Sequence, residues 1–135
     1  MAYTMTKWIK GTETISGSGR TLANFYQKCT LDHTSSTTIA YTENFNWVID
    51  GDFTIMFNID ADNHNSVTWT IAVQGSGDGT NYAELQSFAS VASDTAVKMM
   101  VYDYDTYGRC PYMRLACTPT GTVGGDVILI GIINH

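Results

Sequence analysis

The sequence predicts an all-β protein, an antiparallel β-sandwich of the jelly-roll or immunoglobulin-like kind with at most one short helix. Three observations carry this. Residues 53–59 and 67–73 alternate strictly, with Phe53, Ile55, Phe57 and Ile59 on one parity and Val67, Trp69, Ile71 and Val73 on one parity of the second run. A period of two is what a strand with one buried face requires. The polar link Ala61 to Ser66 then suggests that the two runs form a hairpin. Clusters of Gly, Ser, Asn and Asp recur at short intervals along the chain and divide it into about nine short strands. Finally, only 15% of the residues are charged against 44% hydrophobic, so Thr, Ser, Asn and Gly must supply most of the polar surface.

At 135 residues the chain has the length of one domain with one core. Residues 1–19 read as an N-terminal arm or edge strand with a Gly/Ser hinge, and residues 20–135 as the sandwich. In the first segment Tyr3, Met5, Lys7 and Ile9 stand opposite Thr4, Thr6 and Trp8, and Gly11, Gly17 and Gly19 loosen the chain beyond them. Residues 21–31 are weakly patterned, 32–38 read as loop, and 38–47 offer Ile39, Tyr41, Phe45 and Trp47 as short strand material. Gly75, Gly77 and Gly79 read as positions of positive φ in a turn. Beyond it the apolar spacing 82, 85, 88 or 89, 92 predicts a short helix near Glu84 to Val91. Val97 to Tyr104 is a strand, residues 105–108 turn, and Tyr112 to Thr118 is a strand with Met113, Leu115 and Cys117 facing inward and Arg114 outward. Pro111 and Pro119 bracket it, where a missing amide donor does least harm. The last run, Val127 to Ile133, is apolar on both parities. Such a strand is either central between covered layers or buried on its outer face by another subunit.

The net charge of -6 argues against nucleic acid as a partner. It is unevenly spread: residues 1–31 carry a net of +3 and the remainder a net of -9. Three cysteines (Cys29, Cys110, Cys117) without CxxC spacing predict neither a disulfide framework nor a zinc site. Asp60 to Asn65 fails the calcium-loop pattern, with Asn65 where a glycine is needed and Ile71 where a glutamate is needed. No metal and no cofactor are therefore expected. His33, His64 and His135 lie beside no recognisable nucleophile, and Gly75 to Gly79 lacks the Lys-Ser/Thr ending of a phosphate cradle, so no catalytic residue is expected. No apolar run is long enough for a signal peptide or a membrane span. Tyr102, Tyr104, Tyr107 and Tyr112 cluster around one turn as a candidate sugar-stacking platform, and Asp103 and Asp105 as candidate partners for Arg114.

Two motifs occur together in this chain. One is Val73-Gln74 followed by Ser76-Gly77-Asp78-Gly79-Thr80-Asn81-Tyr82; the other runs from Gly108-Arg109 through Arg114-Leu115 to Thr118 and Gly121. Over residues 52–133 the pattern resembles small β-sandwich structural proteins of tailed bacteriophages, departing from them in Tyr82 where Trp is common and in Cys110-Pro111 before the second strand. The resemblance implies a non-enzymatic virion protein, made in the host cytoplasm, that decorates and cements the capsid surface. Its partners would be the major capsid protein and two further copies of itself, with no nucleic acid and no membrane. Contact residues would be Tyr3, Lys7, Trp8, Lys10, Arg114, Ile128, Ile130 and Ile132. The alternative is a tail, neck or fibre component, or a carbohydrate-binding β-sandwich module contacting glycan through the four tyrosines.

Overall fold

A computed structural model describes residues 3–10, 14–15, 20–21, 26–33, 37–45, 51–59, 68–88, 91–92, 97–120 and 126–134. The strands are β1 (Tyr3–Met5), β2 (Ile9–Lys10), β3 (Thr14–Ile15), β4 (Arg20–Thr21), β5 (Tyr26–His33), β6 (Ala40–Tyr41), β7 (Phe53–Ile59) and β8 (Thr68–Ser76). They continue as β9 (Ala83–Ser87), β10 (Val91–Ala92), β11 (Val97–Tyr102), β12 (Tyr112–Pro119) and β13 (Asp126–Asn134), with a single helical turn α1 (Tyr104–Tyr107) after β11. Among the described residues two antiparallel sheets make the sandwich. One is six-stranded in the order β1-β5-β13-β7-β11, with β2 also on β5; the other is five-stranded in the order β10-β8-β12-β6, with β9 also on β8. The β-sandwich expected from the alternation is the fold observed.

The alternation assigned the faces correctly, since Phe53, Ile55, Phe57, Trp69, Ile71 and Val73 are all fully buried. It assigned the partners wrongly. β7 pairs with β11 and β13, whereas β8 pairs with β12, β9 and β10, so the two runs are not a hairpin but lie in opposite sheets. A period of two fixes which side of a strand is apolar and says nothing of the neighbour. Their apolar faces meet across the core, where the Phe57 and Trp69 rings lie 6.1 Å apart. The link between them falls at residues 60–67, outside the described residues.

The helix expected near Glu84 to Val91 is strand instead. Its spacing of three comes from a bulge: Val73 pairs with Gln86 and Gln74 with Glu84, which leaves Leu85 as the extra residue, turned onto the core. Phe88 then donates its N–H to the Ile71 carbonyl at 2.9 Å and packs on the same core. The helix that does form is α1, where the sequence suggested only a turn. Asp103 caps it, accepting from the Thr106 N–H at 3.2 Å and the Thr106 hydroxyl at 2.6 Å, and Gly108 ends it at φ 74°. The segment expected as weakly patterned or loop contains the whole of β5. His33 lies at its end, fully buried, its Nε2 2.8 Å from the Thr38 carbonyl and its ring edge-on to Trp69 at 5.1 Å.

β13 is the central strand of the six-stranded sheet, between β5 and β7. Ile128, Ile130 and Ile132 are fully buried within the chain, each burial contributing about 1.5–3 kcal/mol. They are committed to this core and offer no surface to a capsid or a second subunit, which corrects their expected role. The side chains of Val127, Leu129 and Ile133, on the other parity, lie outside the described ones. Residues 3–10 border the same sheet: β1 pairs with β5 from Tyr3↔His33 to Met5↔Leu31, and β2 pairs Ile9 with Lys28. Trp8 between them is 4% exposed and donates its indole N–H to the Glu43 carbonyl at 2.8 Å. It belongs to the core, so its expected role as a contact residue is also corrected. The Gly11 to Gly19 hinge falls largely outside the described residues.

Candidate functional site

The outward parity of the five-stranded sheet carries the site. On β12 this parity holds Tyr112, Arg114, Ala116 and Thr118, and the register sets Arg114 opposite Gln74 and Ala116 opposite Ala72 and Tyr41. The two alanines keep the middle of this face low, and Tyr41 and Arg114 rise beside them. The Arg114 guanidinium carbon lies 3.9 Å from the centre of the Tyr41 ring and 3.7 Å from that of Tyr82. Its Nε donates to the Gln74 side-chain carbonyl at 2.9 Å. A planar cation against two π faces gains about 0.5–1 kcal/mol per exposed contact and is held in one plane. The expected pairing of Arg114 with Asp103 or Asp105 is not what forms: Asp103 caps α1, and Asp105 stands exposed within that turn.

The surrounding cleft, about 530 Å³, is lined by residues 42–45 on one side and by Tyr82, Pro111, Tyr112 and Arg114 on the other. Each wall is fixed by local chemistry. Tyr82 donates its hydroxyl to the Asn44 side-chain carbonyl at 2.6 Å. Thr42 and Phe45 hold the edge of β12 through N–H donors to the Leu115 and Met113 carbonyls, at 3.0 and 2.8 Å. Phe45 packs edge-on against Trp8 and Phe53, with both ring pairs 5.6 Å apart, so this wall is anchored in the core.

Tyr112, 41% exposed, is positioned by the turn after β8. Gly79 adopts φ 78°, and a Cβ there would meet the Tyr112 ring at 3.4–3.5 Å, so the ring rests on the bare glycine backbone. Of the turn glycines expected at positive φ, Gly79 alone adopts it. The turn is knotted by Asp78, whose carboxylate accepts from the Asn81 and Thr80 N–H groups at 2.8 Å each, the Asn81 side-chain amide at 2.8 Å and the Ser76 hydroxyl at 2.9 Å. Those donors, the Asn81 N–H foremost, hold the carboxyl well below the usual range. Its stabilising contribution is thus present above the unfolded value of about 3.9 and lost as pH falls through the lower folded value. Wild type should therefore lose more melting temperature between neutral and strongly acid pH than Asp78→Asn does. Identical acid slopes for the two proteins would show that the turn adds nothing.

The four tyrosines expected as a sugar platform do not come together as one. Tyr102 shares its parity with Met100, so it points inward; it is fully buried, stacks on Phe53 at 4.8 Å and donates its hydroxyl to the Gly108 carbonyl at 2.5 Å. Burial pushes its pKa up to about 12. Tyr104 is half-buried against the core and Tyr107 is 42% exposed, both on α1 at the end of the six-stranded sheet. Only Tyr112 belongs to the cleft. Of the other expected residues, Tyr3 is half-buried and stacked on His33 at 6.1 Å, Lys7 is exposed, and Lys10 lies in β2 with its side chain outside the described ones.

Tyr41, Gln74, Tyr82 and Asn44 were missed as site residues. Gln74 and Tyr82 stand inside the first motif, whereas Tyr41 and Asn44 arrive through pairing that no local pattern announces. Among the described residues no group of three His, Cys, Asp or Glu side chains is placed to hold a metal. Burial pushes the Cys29 thiol up to about 12 and the Cys117 thiol higher still, which disfavours the reactive thiolate at both.

No protein-family model and no curated protein matches the sequence. Among solved structures, the chain is similar to the CBM22-1–GH10 modules of Clostridium thermocellum endo-1,4-β-D-xylanase 10B complexed with xylohexaose. The TM-score is 0.52 at 15% identity, over 99% of this chain and 26% of that one. A structure described as CBM4 matches with a TM-score of 0.45 at 11% identity, over 95% of this chain and 81% of that one. The likeness is one of fold.

Proposed function

We propose that the protein is a non-catalytic carbohydrate-binding β-sandwich module whose ligand lies in the cleft around Tyr82, Tyr112 and Arg114. The observation that carries this is the Arg114 arrangement: an arginine stacked between two tyrosines and tied to Gln74, beside a third, exposed tyrosine at the mouth of an open cleft. Sugars offer apolar C–H faces and a rim of hydroxyls. An exposed aromatic plane and fixed in-plane donors are the complementary chemistry. The fold-level likeness to part of a chain that holds CBM22-1 and GH10 modules, described as complexed with xylohexaose, supports the same reading.

Titration calorimetry against a panel of soluble oligosaccharides tests it. Binding should be saturable, and Tyr112→Ala should weaken it by about 1–2 kcal/mol, roughly five- to thirtyfold, at unchanged melting temperature. A panel with no binder, or a Tyr112→Ala protein that binds like wild type, would overturn the reading.

A second reading, a shell-binding structural protein of a tailed phage, is favoured by the two motifs and by Met99 and Val101, which are 50% and 53% exposed on the edge strand β11. It predicts a trimer by native mass spectrometry and attachment to capsids. A monomer that binds glycan and ignores capsids would dispose of it.

A further inference from the structure

We propose that the cleft selects an anionic sugar, a uronate whose carboxylate is taken by the free edge of Arg114. The proposal rests on the carbohydrate reading above and names the class of glycan. Arg114 has both faces covered, by Tyr41 and Tyr82, and its Nε committed to Gln74. What remains is the in-plane pair of terminal nitrogens, for which no described residue supplies an acceptor. This is unusual in a chain with thirteen acids and a net charge of -6. Glu84 is the cross-strand partner of Gln74, and Glu43 lines the same cleft, yet neither carboxylate is paired with the guanidinium.

The geometry decides between ligands. A guanidinium free to rotate serves any hydroxyl, but one clamped on both faces presents two parallel N–H groups in a fixed plane. That fork matches the two oxygens of a carboxylate and forms the shorter, charge-assisted bonds that a neutral sugar cannot supply. The clamp also holds Arg114 in place before the ligand arrives, so little side-chain freedom is lost on binding. Glu43, exposed on the cleft wall, repels such a ligand and sets a ceiling on its affinity.

The test is titration calorimetry on the full chain with three length-matched oligosaccharides: a neutral xylo-oligosaccharide, the same chain bearing a glucuronate branch, and a sulfated chain without carboxylate. The uronate should bind about tenfold or more tightly than the neutral sugar, with the gap narrowing as salt rises. Arg114→Lys, which keeps the charge but not the fork, should close most of that gap. Glu43→Gln should raise affinity for the uronate and widen its margin over the neutral sugar, so the proposal stays testable even if Arg114 variants lose stability. Equal affinity for neutral and uronate chains would overturn the proposal and leave the carbohydrate reading standing. Equal preference for the sulfated chain would overturn the carboxylate assignment. A protein that binds none of the three would bring down the carbohydrate reading together with it.

Discussion

Trp8→Ala should lower the unfolding free energy by about 3–5 kcal/mol, the range for removing a large aromatic from a packed core. The indole is 4% exposed, lies edge-on to Phe45 at 5.6 Å and donates to the Glu43 carbonyl at 2.8 Å. Truncation leaves a void and takes away a hydrogen bond at once. Trp8→Phe separates the two losses. It keeps most of the volume, and the Glu43 carbonyl still accepts from the Thr42 hydroxyl at 2.9 Å, so the cost should fall to about 0.5–1.5 kcal/mol. Urea denaturation of the three proteins measures both. A loss under about 1 kcal/mol for the alanine variant would mean that the N-terminal segment is only loosely attached, as a dispensable arm would be. By the same argument, removal of residues 1–10 takes away two strands and a core tryptophan, so it should not leave an intact sandwich.

Gly75→Ala is the second large effect, with an expected cost of about 1–3 kcal/mol from overpacking. The position faces inward on β8, and a Cβ there would lie 2.6 Å from Cys110 Sγ, 2.9 Å from Leu85 Cδ1 and 3.0 Å from Cys110 Cβ. Its backbone is ordinary, so the requirement for glycine is one of space and not of φ. Cys110→Ala in the same chain removes the closest clash and should recover part of the loss, leaving Leu85 and the remaining methyl to account for the rest. A double-mutant cycle by thermal unfolding isolates that coupling. Additive costs would show that the sulfur is not what Gly75 accommodates. Because Gln74 and Ser76 flank this residue, the substitution should also disturb the groups that hold Arg114 and Asp78.

The sequence disclosed the faces of the strands and little about their neighbours. Phe53 to Phe57 and Trp69 to Val73 announced their buried sides because alternation is a local property. Their separation into two sheets depends on pairing with residues 97–102, 112–119 and 126–134, which no window of the sequence contains. Leu85 imitated a helical period because a bulge displaces one residue, and a single-chain pattern cannot distinguish an irregular strand from a short helix. The site obeys the same logic. Gln74, Tyr82 and Arg114 all stood inside the motifs singled out, and the outward parity of Arg114 was plain. That Arg114 lies between Tyr41 and Tyr82 required the register of β12 on both β6 and β8. The four tyrosines are near in sequence but do not share one face, since Tyr102 has the parity of the buried Met100.

The wall of residues 42–45 is bound on one side to the edge of β12 and on the other, through Phe45 and the Glu43 carbonyl, to Trp8. For any ligand that needs this wall in place, occupancy of the cleft and docking of the N-terminal edge would therefore be linked functions in the thermodynamic sense. Under the proposed function, a ligand that binds only when this wall is in place would stabilise the strands on either side of Trp8, and loosening those strands would weaken its binding in turn. Residues 3–10 thus brace that wall through Trp8 without themselves lining the cleft.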